Sequence, residues 1–127
     1  MSATVTRGIR VRVAPVYLPE RSAPEEGNFT FAYRIRITNT GDVTVRLMRR
    51  RWTITDGSGR TEEVEGAGVV GETPVLPPGT TFEYTSLCPL ATPFGTMEGS
   101  YQMQTAGGDT FDVPVGPFSL VAPQAVN

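Results

Sequence analysis

An all-β fold, a two-sheet antiparallel sandwich of immunoglobulin or fibronectin type III-like character with roughly seven or eight strands, is what this sequence predicts. Three observations carry the prediction. Apolar and polar residues alternate at a period of two through most of the chain. The 11 prolines and 14 glycines punctuate it at intervals typical of short strands. No stretch of about ten residues keeps the three-and-four spacing of an amphipathic helix. A closed barrel is the alternative closure of the same strands.

The elements follow in order. Ile9, Val11 and Val13 alternate with Arg10 and Arg12, so the first strand runs from Ile9 toward Leu18, where Pro15 and Pro19 limit pairing. Pro19 to Gly27 has the proline, serine and charge content of an exposed crossing. The strongest alternation follows: Phe29, Phe31, Tyr33, Ile35 and Ile37 on one face, Thr30, Ala32, Arg34, Arg36 and Thr38 on the other. Asn39-Thr40-Gly41-Asp42 supplies turn chemistry, which predicts a hairpin into a strand beginning at Val43.

In that strand Val43, Val45 and Leu47 take odd positions whereas Trp52 and Ile54 take even ones. An inserted residue, a bulge between Leu47 and Trp52, reconciles the two phases and redirects the arginines between them. Asp56-Gly57-Ser58-Gly59 turns the chain into a short charged strand, Arg60 to Glu65, suited to a sheet edge. After Pro77-Pro78-Gly79 come strands marked by Phe82 and Tyr84, then, beyond a Pro89 to Gly95 connection, by Met97, Tyr101 and Met103. Gly107-Gly108 closes a hairpin into a last strand with Phe111, Val113 and Val115 inward, a break at Gly116-Pro117, and Phe118 and Leu120 in shifted phase. The tail beyond Val121 reads as loose.

The 127 residues suit one domain, 1–127, with an ordered core over about 7–121. Composition excludes more than it assigns. The chain has no His, a single Cys and a net charge of −2, and every basic residue is Arg. Lysine-based chemistry is therefore out, and the commonest general base and metal ligand is missing. Cys88 has no disulfide partner and no imidazole to activate it, and reads as a core residue. With no nucleophile–base constellation, an enzyme is not expected and no catalytic residue is assigned. The charge balance argues against a nucleic-acid partner, no segment has the length of a membrane span, and the N-terminus carries no apolar run of signal-peptide length, so a cytoplasmic location is expected.

The long connection Glu63 to Gly79 carries the motif-like residues. Gly66-Ala67-Gly68-Val69-Val70-Gly71 matches GxGxxG, but Pro74, Pro77 and Pro78 deny it the helix that a dinucleotide fingerprint requires. The structural reading is a tight backbone conformation; the functional one is a nest of amides at Gly66, Gly68 and Gly71 that holds an anion together with Arg49, Arg50 and Arg51. Alternation sends neighbouring arginines to opposite faces, and they equally suit pairing with the nearby glutamates. Glu63, Glu65 and Glu72 are candidate ligands for a hard cation, against the plainer reading of an edge strand kept soluble by charge. No resident cofactor is expected; magnesium is the metal such an oxygen-ligand site would take.

Ordered blocks of the sequence resemble the ApaG family: Arg49 to Asp56, Val64 to Glu72, Pro74 to Gly79, Phe82 to Ser86, Thr92 to Met103 and Phe118 to Leu120. The likeness spans about Ile9 to Leu120. It implies a fibronectin type III-like sandwich, a bacterial cytosolic protein, and an association with cobalt tolerance and magnesium efflux. Similar domains in eukaryotic F-box and polymerase-interacting proteins look like protein-binding modules. The expected function is therefore a non-catalytic module with a protein partner, or a homodimer through a sheet edge; the alternative is a sensor that binds phosphate or a magnesium-nucleotide at Gly66–Gly71. Where the family commonly shows a His before the Trp this chain has Arg51, so a metal site using that imidazole does not transfer.

Overall fold

The computed structural model describes residues 2–123. Nine strands form two antiparallel sheets. The first sheet takes β1 (Ser2–Thr6), β2 (Ile9–Tyr17), β3 (Phe29–Asn39) and β7 (Thr81–Leu90), in that spatial order. The second takes β5 (Thr61–Ala67), β4 (Val45–Asp56), β8 (Phe94–Thr105) and β9 (Thr110–Val121), with the two-residue β6 (Val75–Leu76) also pairing with β4. Short 3-10 turns form at Pro19–Arg21 and Pro24–Glu26, and among the described residues no helix is long and apolar enough to cross a membrane.

The predicted sandwich is present, and its core is the set of inward residues that alternation picks out. Val11 and Val13 lie opposite Ile37 and Ile35 on the neighbouring strand, and all four are buried together with Ile9 and Phe31. Phase breaks fall where the sequence puts them. Register shifts between Leu47 and Arg49, so Leu47 and Trp52 both reach the core although they differ in parity. A second shift lets Val115 and Phe118 both point inward, two residues of β9 (Gly116 and Pro117) lying opposite Glu98.

Four expectations need correction. The connection after Asn39 is not a hairpin: β3 and β4 lie in different sheets. Asn39, 1% exposed, holds the crossing, its Nδ2 donating to the Val43 carbonyl at 2.8 Å and the Leu76 carbonyl at 2.9 Å while its Oδ1 accepts from Gly41 N at 3.0 Å. Val43 consequently sits in the turn, 48% exposed, and the strand begins at Val45. Pro89 belongs to β7, opposite Thr30, rather than to a connection; at the end of an edge strand its missing N–H costs no ladder bond. A strand, β1, precedes the first one read from the sequence; Ala3 and Val5 alternate there with Thr4 and Thr6, but Val5 is 61% exposed, so no inward apolar face marks the segment.

The loose tail expected beyond Val121 begins with a fixed residue, since Ala122 is buried and donates to the Pro93 carbonyl at 2.8 Å; residues 124–127 lie outside the described residues.

The two long sides of the sandwich differ. On one, β9 packs beside β1 and β2, and Thr4 Oγ1 donates to the Pro114 carbonyl at 3.1 Å. On the other, β5 and β7 are the free edges of their sheets, and the gap between them stays open.

Candidate functional site

The opening between β5 and β7 is a cleft of about 420 Å³ whose floor includes Tyr33, Trp52 and Cys88 and whose rim carries Arg50, Arg60 and Glu62. Its floor is set by the β4 bulge. Beyond Met48 the strand resumes in the other phase, so Arg49 and Arg51 project outward while Arg50 joins Trp52 on the inner side. Trp52, 2% exposed, packs edge-on against Tyr33, Tyr101 and Phe118, with ring centroids at 5.8, 5.8 and 5.9 Å. The benzo edge of its indole faces Gly99 of β8, where a Cβ would come within 2.9 Å of Cε3. The pyrrole edge therefore lies toward β5 and the cleft. Its Nε1 is buried and has no partner among the described residues, a donor of the kind that native structures normally satisfy.

The titratable groups of the floor are held in their neutral forms. Burial pushes the Cys88 thiol up to about 11, with the Glu62 charge acting in the same direction. Burial likewise raises Tyr33, Tyr84 and Tyr101 above the ordinary phenol value. The hydroxyls of Tyr84 on β7 and Tyr101 on β8 satisfy each other across the two sheets. No thiolate or phenolate nucleophile is available there at neutral pH.

The predicted anion site is partly assembled. Arg50 reaches the glycine loop, but its Nη1 donates to the carbonyls of Gly68 at 3.0 Å and Ala67 at 3.3 Å. Gly66 lies in β5, opposite Arg50, not in the loop. The loop proper is a tight turn: Val69 and Glu72 exchange backbone bonds of 2.8 Å in both directions, and Val70 (φ 42°) and Gly71 (φ 81°) between them have positive φ. Positive φ at both central positions suits a two-residue hairpin turn, although a β-branched Val there is strained. Gly68 N donates to the Met48 carbonyl at 2.8 Å. The amides of Gly68, Val69 and Glu72 are thus committed within the protein, and Val70 and Gly71 make no such bond among the described residues. Val69 is fully buried and anchors the turn in the core.

Arg49 and Arg51 are not brought to this loop. They lie on the outer face of the second sheet beside Glu65, Ser100, Gln102 and Asp112, and Arg51 pairs with Glu65 at 3.6 Å. Glu63 and Glu65 share that outer face, Glu63 accepting from Thr53 Oγ1 at 3.5 Å. Glu63, Glu65 and Glu72 do not converge: among the described residues no three His, Cys, Asp or Glu side chains are placed to hold a metal ion. Tyr33 and Cys88 are absent from the sequence-based site, since no local spacing reveals which residues meet across two sheets.

Residues 19–105 match the ApaG domain family. The chain belongs to the ApaG family. It is 55% identical over 124 residues to Protein ApaG of Rhodopseudomonas palustris (strain TIE-1), covering 98% of this chain and 95% of that one. It is 56% identical over 120 residues to Protein ApaG of Caulobacter vibrioides, covering 94% of this chain and 86% of that one. The crystal structure of an ApaA protein from Bordetella pertussis superposes with a TM-score of 0.89 at 50% identity, covering 91% of this chain and 94% of that one. The ApaG-family sandwich expected from the sequence is thus shown both by relatives and by the fold.

Proposed function

We propose that this ApaG-family chain is a non-catalytic binding module that takes up a protein segment at the open side of the sandwich. The observation that carries this reading is the cleft lying between two unpaired strand edges, β5 and β7. An extended segment can add to such an edge through main-chain hydrogen bonds while sending alternate side chains into the adjoining cleft. Of the two edges, β7 is the better template. β5 carries Glu62, Glu63 and Glu65, charges that discourage pairing, and a second copy of this chain docking β5 to β5 would oppose like charges. The link to cobalt tolerance and magnesium efflux that the family likeness implies would then run through the partner.

The test is capture by immobilised wild-type protein and by an Arg50→Ala/Val64→Gln variant, which alters the cleft rim and one wall. A saturable protein retained by the first and lost by the second supports the module. Equal retention, or no saturable protein at all, overturns it. The phosphate or magnesium-nucleotide sensor has support from one observation, the Arg50 guanidinium at the glycine turn. Its test is the movement of the Val70 and Gly71 amide resonances on adding magnesium and a nucleotide.

A further inference from the structure

The outer face of the first sheet, opposite to the cleft floor, carries a block of arginines followed by an apolar row, with the exposed Val5 of β1 beside Arg10. Register places Arg10 opposite Thr38, Arg12 opposite Arg36, and Ala14 opposite Arg34. Four of the chain's 11 basic residues therefore stand on the outer rows of two central strands in a protein whose net charge is negative. On the neighbouring β7, Glu83 is opposite Arg36 and pairs with it at 3.2 Å. Among the described residues, Arg10, Arg12 and Arg34 have no carboxylate within ion-pair distance, and Arg10 Nε is buried without a partner. A like-charge pair directly opposite across two strands destabilises a sheet. The next row holds Val16, Ala32 and Leu87 in register, with Val16 55% and Leu87 44% exposed.

We propose that this face docks an extended acidic segment of a partner protein, with carboxylates at alternate positions followed by an aliphatic residue. Successive outward rows of a strand are roughly 6.8 Å apart, the same spacing as alternate side chains of an extended peptide. Carboxylates two residues apart would meet the rows of Arg10, Arg12 with Arg36, and Arg34, and the aliphatic side chain would reach the row of Val16 and Leu87. The guanidinium fork binds carboxylates bidentately, and Arg is enriched in protein–protein interfaces. A single-stranded nucleic acid fits less well, because the outward rows over β1, β2, β3 and β7 offer no aromatic ring for base stacking. An anionic membrane fits less well too, since the three exposed aliphatic side chains, Val5, Val16 and Leu87, are spread over a flat sheet and give little to insert.

The inference extends the binding-module reading to a second surface, which meets the cleft only at Leu87. The probe is a synthetic peptide with Glu at alternate positions and a terminal Leu, titrated into the isotope-labelled protein at low and physiological salt. The expected result is saturable binding, weakened by salt, with amide shifts confined to the outward rows of β2, β3 and β7. An Arg12→Ser/Arg36→Ser variant, which removes the like-charge pair, should melt no lower than wild type and bind at least tenfold more weakly; Val16→Ser, in the same row as Leu87 but outside the cleft, should weaken binding further. A peptide with every Glu changed to Gln should not bind. The proposal is overturned if the peptide fails to bind at millimolar concentration, if the double variant binds it as well as wild type, or if an oligothymidylate or phosphatidylserine vesicles bind more tightly. Shifts appearing instead around Trp52 and β5 would also overturn it while favouring the cleft, and loss of capture by the cleft variant would leave it untouched.

Discussion

The guanidinium of Arg50 covers Gly66: a Cβ built on that glycine would meet Nη1, Cζ and Nη2 at 2.8, 3.1 and 3.1 Å. Three nearly equal distances describe contact with the guanidinium face, and that contact lets Nη1 reach the carbonyls of Ala67 and Gly68. The first of the family's motif glycines therefore makes room for a side chain, whereas the second serves the backbone. At Gly68 (φ 62°) a Cβ would meet the Glu72 carbonyl oxygen at 2.1 Å, and that oxygen is fixed by the turn.

The two glycines should accordingly respond differently to substitution. Gly68→Ala combines a left-handed conformation with a clash against backbone and is expected to cost about 2–4 kcal/mol. Gly66→Ala displaces only the end of a flexible side chain and should cost under about 1 kcal/mol, as should Arg50→Ala. Urea unfolding of the three variants decides it. Equal losses at both glycines would show that the Arg50 contact, too, is rigid.

Trp52→Ala is predicted to destabilise the fold by about 3–5 kcal/mol, because it empties a buried site on which three aromatic rings converge. A nearly neutral denaturant midpoint would contradict the core packing described for the cleft floor.

Asn39 should be intolerant even of Asp. Asn39→Ala removes three hydrogen bonds and leaves the buried contact to the Leu76 carbonyl unfilled, for an expected loss of about 2–4 kcal/mol. Asn39→Asp at neutral pH sets a carboxylate against two carbonyl oxygens and should lose at least as much. Burial would raise that carboxyl above its unfolded value, so the Asp variant should regain stability as pH falls through its folded pKa. Thermal melts at pH 7 and pH 4.5, compared with Asn39→Ala, provide the check; a variant no less stable than wild type would remove the proposed role of the amide.

The Cys88 thiol predicts an alkaline limit to stability. Its folded value of about 11 lies above the ordinary value of 9.0, so the folded state holds its proton more tightly than the unfolded chain does. The contribution is complete below about pH 9 and is lost as pH rises from about 9 toward 11, at a slope of at most roughly 1.4 kcal/mol per pH unit. The buried tyrosines act in the same sense from their ordinary value of 10.0 upward. Cys88→Ala should flatten the dependence between pH 9 and 10, and the wild-type thiol should alkylate slowly below pH 10. Rapid alkylation at pH 8 would show an accessible thiolate instead.

The sequence by itself determined the fold class, the inward faces of the long strands and both phase breaks. Each rests on a local rule: side chains alternate along a strand, one face must be buried, and an odd insertion between Leu47 and Trp52 or between Val115 and Phe118 needs an extra residue to keep both inside. Tertiary structure decided what local rules leave free. Turn chemistry after Asn39 is compatible with a hairpin or a crossing, and only the distant Leu76 carbonyl selects the crossing. β1 alternates but turns Val5 outward, so its place in the fold follows from pairing with the edge of β2 and not from a buried apolar face. The candidate site depended most on packing between sheets. Tyr33, Trp52 and Cys88 come from three strands in two sheets, and Arg50 parts from Arg49 and Arg51 because the bulge turns it inward. The face bearing Arg10, Arg12, Arg34 and Arg36 likewise exists only once β2 and β3 are in register, since alternation assigns each arginine to an outer face but pairing alone brings Arg12 opposite Arg36.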